Sequence, residues 1–176
     1  MPAPPGFSQI PDDKLKVGGA ADIDRLVTER DDPVGAKAAF ERAGLQNAFV
    51  RSWQRSAPDE LMTVRLYQMS TGGGAQRYVD ETSRGTRTLT SSAFAIPGTT
   101  EASGVRTGPL DGRGRAVLYG FGRSGRVVVV LAAALAAPGD DAVVATAMRH
   151  QLDLIAGGIA TASAPTTTTT AAQATP

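Results

Sequence analysis

The sequence predicts an α+β fold, in which a mostly antiparallel sheet of five or six strands carries helices packed on its faces in a single domain. Strand-like segments occur in neighbouring pairs joined by short turns, as in hairpins. Four other segments carry helix caps or apolar residues at helical spacing. The 18 basic and 17 acidic residues, 35 of the 176 in all, lie between Asp12 and Asp153. One folded unit is therefore expected between two uncharged ends.

Two helices are predicted in the first quarter of the chain. The first spans Ala20 to Glu29, with its apolar residues on one side. Asp32 and Pro33 supply an N-cap and a first-turn proline for the second helix. Gly44 ends that helix, since glycine readily adopts the left-handed conformation of a helix end.

A strand pair and a third helix follow. Polar and apolar residues alternate from Phe49 to Arg55, and Leu61 to Met69 is rich in β-branched and long apolar residues. These two segments predict a hairpin. The three glycines from Gly72 to Gly74 then break the strand, and a helix is expected from Ala75 to about Arg87.

The strongest strand signals lie in the second half. Ser92 to Ile96 predicts a strand. Residues 99–114 predict a loop, and a short strand near Val105 stays open as an alternative. Arg115 to Phe121 and Arg126 to Leu135 predict a second hairpin.

A final helix is predicted after Asp140 or Asp141, either of which can cap it. Its apolar stripe at positions i, i+4, i+8 and i+11 consists of Val144, Met148, Leu152 and Ile155. His150, the only histidine, falls on the opposite side. The pair Gly157–Gly158 is expected to end the helix.

The composition divides the chain into a Pro-rich lead (1–11), an α+β domain (12–158) and a disordered Thr/Ala/Pro tail (159–176). The tail lacks charge and large apolar groups, and is expected to be a solvated or O-glycosylated stalk. The lead has no basic region followed by an apolar one, so no signal peptide is expected in it. The longest apolar run, Val127 to Ala137, is far shorter than the ~20 residues of a membrane-spanning helix.

Several chemistries are excluded or disfavoured by composition. The chain has no cysteine, which excludes disulfides, thiolate metal sites, iron–sulfur clusters and a cysteine nucleophile. One solvated histidine is a poor triad base and cannot form a histidine-rich metal site. The net charge of +1 argues against nucleic acid as a partner. We therefore expect no cofactor and no metal.

The segment Gly120-Phe-Gly122-Arg-Ser-Gly125 matches the GxGxxG pattern of nucleotide-binding loops. A dinucleotide site requires a helix directly after the glycines, so that the pyrophosphate meets its N-terminus. Here the β-branched run Val127 to Val130 follows, which favours a strand. We interpret the motif as a tight hairpin.

Acidic residues occur in five adjacent pairs, at turns, helix starts or exposed helix faces. The pairs are Asp12–Asp13, Asp31–Asp32, Asp59–Glu60, Asp80–Glu81 and Asp140–Asp141. Helix caps and solvated surface account for most of them. Two converging pairs would instead allow a hydrolase built on turn carboxylates.

The candidate binding surface is a pocket between the sheet and its helices. It is predicted to include Trp53, Tyr67 and Tyr119, with Arg51 and Arg65 nearby. Fifteen of the 18 basic residues are arginines. Those on the two hairpins (Arg51, Arg55, Arg65, Arg113, Arg115, Arg123 and Arg126) would form a basic rim for an acidic ligand or partner. Aromatic side chains also fill sheet–helix cores, so a purely structural role for the three rings stays open.

The order of segments over roughly residues 20–156 resembles that of small secreted proteins and lipoproteins of actinobacteria. There a capped helix ends at Ala-Gly, and a strand carrying Arg-x-Trp follows, here Ala43-Gly44 and Arg51-Ser-Trp53. The segments MTVRLYQM, GGGAQRYVDE, AFAIPG, GRVVVVLAAAL and ATAMRHQLDLI complete the order. Such proteins are similar to the PsbP-like α/β/α group and, more distantly, to the extracytoplasmic sensor domains of mycobacterial kinases. The resemblance implies a binding or accessory role, and it carries over no functional residue.

The sequence thus predicts a non-enzymatic, extracytoplasmic accessory domain that binds a small molecule, a lipid or a protein. A secreted or cell-envelope location is expected if Met1 is not the natural start, and a cytoplasmic location otherwise. A hydrolase and a cytoplasmic structural or assembly subunit stay open as alternatives.

Overall fold

The structure is a computed structural model that describes residues 3–56, 59–87, 90–108 and 110–162. The strands are β1 (Ser8–Gln9), β2 (Gly19–Ala21), β3 (Leu45–Ser56), β4 (Asp59–Met69), β5 (Ser92–Ala95), β6 (Ala102–Thr107), β7 (Arg115–Ser124) and β8 (Val127–Ala136). The helices are α1 (Ile23–Val27), α2 (Pro33–Ala43), α3 (Gly72–Thr86) and α4 (Asp141–Ala162), and a 3₁₀ turn covers Asp12–Lys14.

All eight strands of the described residues form one antiparallel sheet. Their order is β1-β3-β4-β8-β7-β6-β5, and β2 pairs with β3 on the same edge as β1. The β3–β4 register places Trp53 opposite Met62 and Val50 opposite Arg65. Because successive side chains of a strand point to opposite faces, this register decides which side chains share a core.

Helices cover both faces of the sheet, and each face has its own buried core. Helix α4 packs across β7 and β8, over a cluster that includes Trp53, Met62, Leu118, Leu131, Val144 and Met148. Helices α1, α2 and α3 cover the opposite face, over a cluster that includes Leu26, Phe40, Tyr67, Tyr78, Phe121 and Val130. The predicted α+β class, with helices on the faces of an antiparallel sheet, is confirmed.

Three predicted elements follow their sequence signals closely. The carboxylate of Asp32 accepts the Gly35 N–H at 2.9 Å, Pro33 begins α2, and Gly44 ends it in the left-handed conformation. Strands β7 and β8 form the second hairpin, with Gly125 at φ +57° in its turn. In α4 the first three residues of the predicted stripe are buried and Ile155 is packed against the same core.

The prediction of five or six strands is too low, since the described residues contain eight. The additional strands are short or sit in a segment predicted as a loop. Strands β1 and β2 have two and three residues, too few to show the alternation that identifies a strand. Strand β6 lies in the segment that the sequence predicts as a loop with at most a short strand near Val105.

Two helix starts differ from their predictions. Helix α1 begins at Ile23, because Asp22 caps it and the residues before it form β2. Helix α3 begins at Gly72, inside the glycine run that was predicted to precede it. A Cβ on Gly74 would lie 2.1 Å from the carbonyl oxygen of Ala43, so this glycine lets α3 pack against the end of α2.

Helix α4 runs to Ala162 and thus continues past Gly157–Gly158, the pair predicted to end it. The remainder of the predicted tail, residues 163–176, lies outside the described residues. In the part of the chain that the structure describes, no helix has the length and apolar character needed to cross a membrane.

Candidate functional site

A cleft of about 500 Å³ lies between the N-terminal arm, residues 3–9, and the outer side of α4. We refer to it as the α4 cleft. It is lined by Ala3, Pro4, Pro5, Phe7, Arg55, Asp140, Ala142, Val143, Thr146, Ala147, His150 and Gln151. Seven of these twelve residues are apolar, which gives the cleft the character of a small-molecule site: mostly apolar, with a few polar groups.

The N-terminal arm is held on the sheet by backbone bonds and one ring. Strand β1 pairs Gln9 with Trp53, and the Ile10 N–H bonds to the Ser52 carbonyl at 2.9 Å. The Phe7 ring is 8% exposed and belongs to the α4-side core with Trp53. Residues 3–11, predicted as a lead, therefore contribute a strand, a buried ring and one wall of the cleft.

The cleft also contains an ion pair between the partly exposed Arg55 and the buried carboxylate of Glu60. Arg55 bonds to Glu60 through both Nε and Nη2, and its guanidinium carbon lies 5.1 Å from the centroid of the Phe7 ring. A second cavity of about 280 Å³ shares Arg55, Asp140 and Val143 with the α4 cleft and extends it toward Glu60. The positive charge in the cleft thus already has a carboxylate partner.

The first half of α4 supplies the wall opposite the N-terminal arm. Asp140 accepts the Ala142 N–H at 2.8 Å and so caps the helix. Val143 and Ala147 present an apolar side to the cleft, and His150 is exposed, as the sequence predicted. Gln151 differs from its neighbours because it is a polar residue with only 5% exposure.

The five predicted site residues are divided between the two faces of the sheet. Trp53 and Arg51 lie on the α4 face, whereas Tyr67, Arg65 and Tyr119 lie on the face covered by the other helices. Trp53 and Tyr67 are 1% and 0% exposed. The fold therefore does not unite all five in one pocket, and their role in binding stays a prediction.

Tyr67 lies in an aromatic cluster with Phe40 and Tyr78, whose ring centroids are 5.1 to 5.4 Å apart. Its hydroxyl accepts a hydrogen bond from Arg30 Nη2 at 3.3 Å. Burial raises the pKa of the Tyr67 and Tyr78 hydroxyls, because the charged phenolate is poorly solvated there. These rings fill the core beneath α2 and α3.

The remaining predicted residues make local contacts. Tyr119 stacks on Phe121 with centroids 6.0 Å apart, and Arg65 pairs with Glu29 at 3.4 Å. Arg51 lies over the Phe49 ring and 3.9 Å from Asp12. Among the described residues, Arg51 Nε, Asp12 Oδ1 and Trp53 Nε1 are buried without a hydrogen-bond partner.

The predicted basic rim is largely neutralised. Six of its seven arginines pair with carboxylates at N–O distances of 2.5 to 3.9 Å, in the pairs Arg51–Asp12, Arg55–Glu60, Arg65–Glu29, Arg113–Asp59, Arg115–Asp111 and Arg123–Glu101. An acidic ligand would have to compete with these carboxylates.

The acidic pairs act mainly as helix caps and ion-pair partners. Asp32 and Asp140 cap α2 and α4, while Asp59, Glu60 and Asp141 pair with arginines. Within the described ranges no three histidine or carboxylate side chains gather in the way a metal site needs. The GxGxxG segment lies in the β7–β8 hairpin, where a strand follows the glycines.

Sequence reasoning missed the α4 cleft and its two distinctive residues, Phe7 and Gln151. Phe7 is the one aromatic residue among the first eleven, and that was an available signal that the segment packs. Gln151 directly precedes Leu152 of the apolar stripe and follows Ala147 by four positions, so it borders the buried side of the helix.

No protein-family model matches the chain, and no curated protein matches it. Among solved structures, the chain is similar to the extracellular domain of PknH from Mycobacterium tuberculosis, with a TM-score of 0.51 and 11% sequence identity. The match covers 68% of this chain and 69% of that chain. At this identity the likeness concerns the fold alone.

Proposed function

We propose that the chain is an extracytoplasmic accessory domain that binds an apolar, uncharged ligand in the α4 cleft and catalyses no reaction of its own. Its fold is similar to that of an extracellular domain, which supports a location outside the cytoplasm. The observation that carries the proposal is the cleft, because its volume of about 500 Å³ falls in the range of roughly 300–1,000 Å³ of ligand pockets.

The walls of the cleft favour an apolar ligand. Prolines and Phe7 form one side, and Val143 and Ala147 form the other. A ligand placed between them would remove apolar surface from water on both sides, which is the main source of affinity for such a site.

The charges in the cleft favour an uncharged ligand. Arg55 is paired with Glu60, and the Asp140 carboxylate accepts a helix N–H. An anionic ligand would lose hydration, which is costly, without gaining a free counter-charge. A cationic ligand would meet only Asp140, whose carboxylate is exposed and screened by solvent. An uncharged ligand avoids that cost.

Binding of the solvatochromic dye Nile red tests this proposal. The Ala147→Glu variant places a carboxylate in the cleft, and Ala156→Glu makes the same change at an exposed position of α4 outside it. We expect Nile red to bind the unmodified protein with a blue-shifted emission, to bind Ala147→Glu at least about tenfold more weakly, and to be unaffected by Ala156→Glu. Equal binding to both variants, with both folded, would place the ligand elsewhere.

Location is tested separately by fractionation of cells that express the complete gene. Recovery of the protein with the cell envelope or the medium is the expected result. Recovery with the cytosolic fraction would instead favour the cytoplasmic assembly subunit.

A further inference from the structure

Strand β5 lies at the edge of the sheet that is opposite the N-terminal arm. Among the described residues its ladder partner is β6 alone. In a strand, successive residues direct their N–H and C=O groups to opposite sides, so every second residue of β5 directs them away from the sheet. The strand also continues beside β6 beyond the ladder, since Thr90 Oγ1 donates to the Gly108 carbonyl at 2.8 Å. Such backbone groups are a template for a further strand.

The usual protection of an edge strand is missing from β5. Native edge strands ordinarily carry charged side chains, prolines or bulges that prevent pairing with other chains. None of residues 88–100 is charged, and the first proline of that run, Pro97, follows the strand. The ladder with β6 has no bulge. Strand β8 also lacks charged residues, but it lies between β4 and β7.

The side chains of β5 leave its outer side open to another backbone. The Phe94 ring lies over Gly104 of β6, where an added Cβ would meet it at 2.1 Å. Ile96, just after the strand, is buried in the core beneath α4. Ser92, Ala93 and Ala95 are exposed and small. An incoming strand would therefore meet no large or charged side chain.

The opposite edge of the sheet decides how two copies of this chain can join. There β1 and β2 already pair with β3, so the β5 strand of one copy cannot add to β3 of another. The remaining combination is β5 with β5. A two-fold axis perpendicular to the sheet makes that pair antiparallel, satisfies the outward backbone groups of both copies and yields a closed dimer.

The charges beside β5 agree with this arrangement. Arg87, which precedes the strand, is exposed and forms no ion pair within the described ranges. Glu101, which follows the strand, contacts Arg123 and keeps 48% of its side chain exposed. An antiparallel pair brings the start of one strand to the end of the other. Arg87 of each copy thus approaches the end of the second copy that carries Glu101, and no like charges meet between the strands.

We propose that the chain forms a two-fold dimer in which the β5 strands of two copies pair antiparallel and join the two sheets into one. This inference goes beyond the proposed function, because the arm that lines the α4 cleft lies at the other edge of the sheet. Since the paired segment is short, the dimer is weak and transient, with a Kd on the order of 10–100 µM.

Sedimentation equilibrium from about 10 µM to about 1 mM protein tests the dimer. The double variant Ala93→Lys/Ala95→Lys adds charges that meet across the two-fold axis, and we expect it to associate at least about tenfold more weakly. Ala20→Lys is the matched control, because Ala20 is an exposed alanine of β2 at the opposite edge. It should dimerise as the unmodified protein does. Thermal unfolding verifies that each variant is folded.

A spin label locates the interface independently of the lysine variants. The chain has no cysteine, so Ala93→Cys provides a single labelling position. Paired strands are about 4.8 Å apart, and we expect dipolar spectroscopy of the labelled dimer to give a distance between the two labels of roughly 20 Å or less. A label on Ala20→Cys should give a clearly longer distance, because Ala20 lies at the far edge of each copy.

Three results would overturn the inference. They are a monomer throughout the concentration range, a dimer that the two lysines leave intact, and a shorter label distance from position 20 than from position 93. Weakening by Ala20→Lys alone would assign association to the other edge and would overturn it as well. Binding of Nile red in the α4 cleft is measured separately, so the proposed function stands or fails by its own experiment.

Discussion

Arg55 donates two hydrogen bonds to a single carboxylate oxygen of Glu60, from Nε at 2.9 Å and from Nη2 at 2.5 Å. The second carboxylate oxygen accepts the backbone N–H of Ala136 at 3.1 Å. Glu60 is 6% exposed in its side chain. One buried carboxylate thus connects the ends of β3, β4 and β8 beside the α4 cleft.

Replacement of that carboxylate should be destabilising. In Glu60→Gln the guanidinium of Arg55 loses its counter-charge, and we expect the free energy of unfolding to fall by roughly 2 kcal/mol. Urea unfolding measures the change. Asp24→Asn removes the partner of Lys37 in an exposed pair and should cost less than about 1 kcal/mol. Equal costs at the two positions would contradict the role given to Glu60.

A second prediction concerns Phe94, whose ring lies over Gly104 on the neighbouring strand. The two residues are directly opposite, and a Cβ on Gly104 would lie 2.1 Å from the ring. We expect Gly104→Ala to lower the free energy of unfolding by about 1–3 kcal/mol, because the ring must move. In a Phe94→Ala background the same change should cost much less. A double-mutant cycle by urea unfolding checks this, and additive costs would be the contrary result.

Gly85 offers the opposite case. It lies in α3 with no atom within 4 Å of the position of an added Cβ. Gly85→Ala should therefore raise the free energy of unfolding by roughly 0.5–1 kcal/mol through helix propensity alone. Gly74→Ala, in the same helix but against Ala43, should lower it. Thermal unfolding of the two variants would refute this account if both changed in the same direction.

The buried tyrosines predict a loss of stability in alkali. Burial raises the pKa of Tyr67 and Tyr78 above the ordinary value of 10.0, so the unfolded chain releases these protons first. Their contribution is complete below pH 10.0 and falls as the pH rises further. Unfolding free energies measured across this range should decline less steeply for Tyr78→Phe. An equal slope in the variant would assign the alkaline loss to other groups.

Elements with side-chain signals at their ends were predictable from sequence. Asp32 and Gly44 delimit α2 because each supplies a specific cap. The start of α3 was not predictable from local preference. Glycines ordinarily disfavour a helix, yet Gly74 allows close contact with the end of α2, and that contact exists only in the folded molecule.

The burial of the predicted aromatic residues follows from residue type, whereas their division between the two faces of the sheet does not. Trp53 and Tyr67 are buried, as aromatic side chains in a sheet often are. Their separation depends on the register that places Trp53 opposite Met62, since a shift by one residue would exchange the faces. The sequence predicts a turn between the strands but does not determine that register. The α4 cleft also depends on the position of the N-terminal arm. The few residues of the arm do not by themselves determine that position.

The outer edge of β3 has a consequence for self-association. Strand β2 pairs with residues 48–50 and β1 with residues 53–54, while Ile10 bonds to Ser52 between them. An exposed strand of this length would offer its backbone to other chains and promote aggregation. Two segments of only two and three residues occupy those groups instead. Deleting the N-terminal arm should therefore make the protein less soluble, beyond any effect on the cleft.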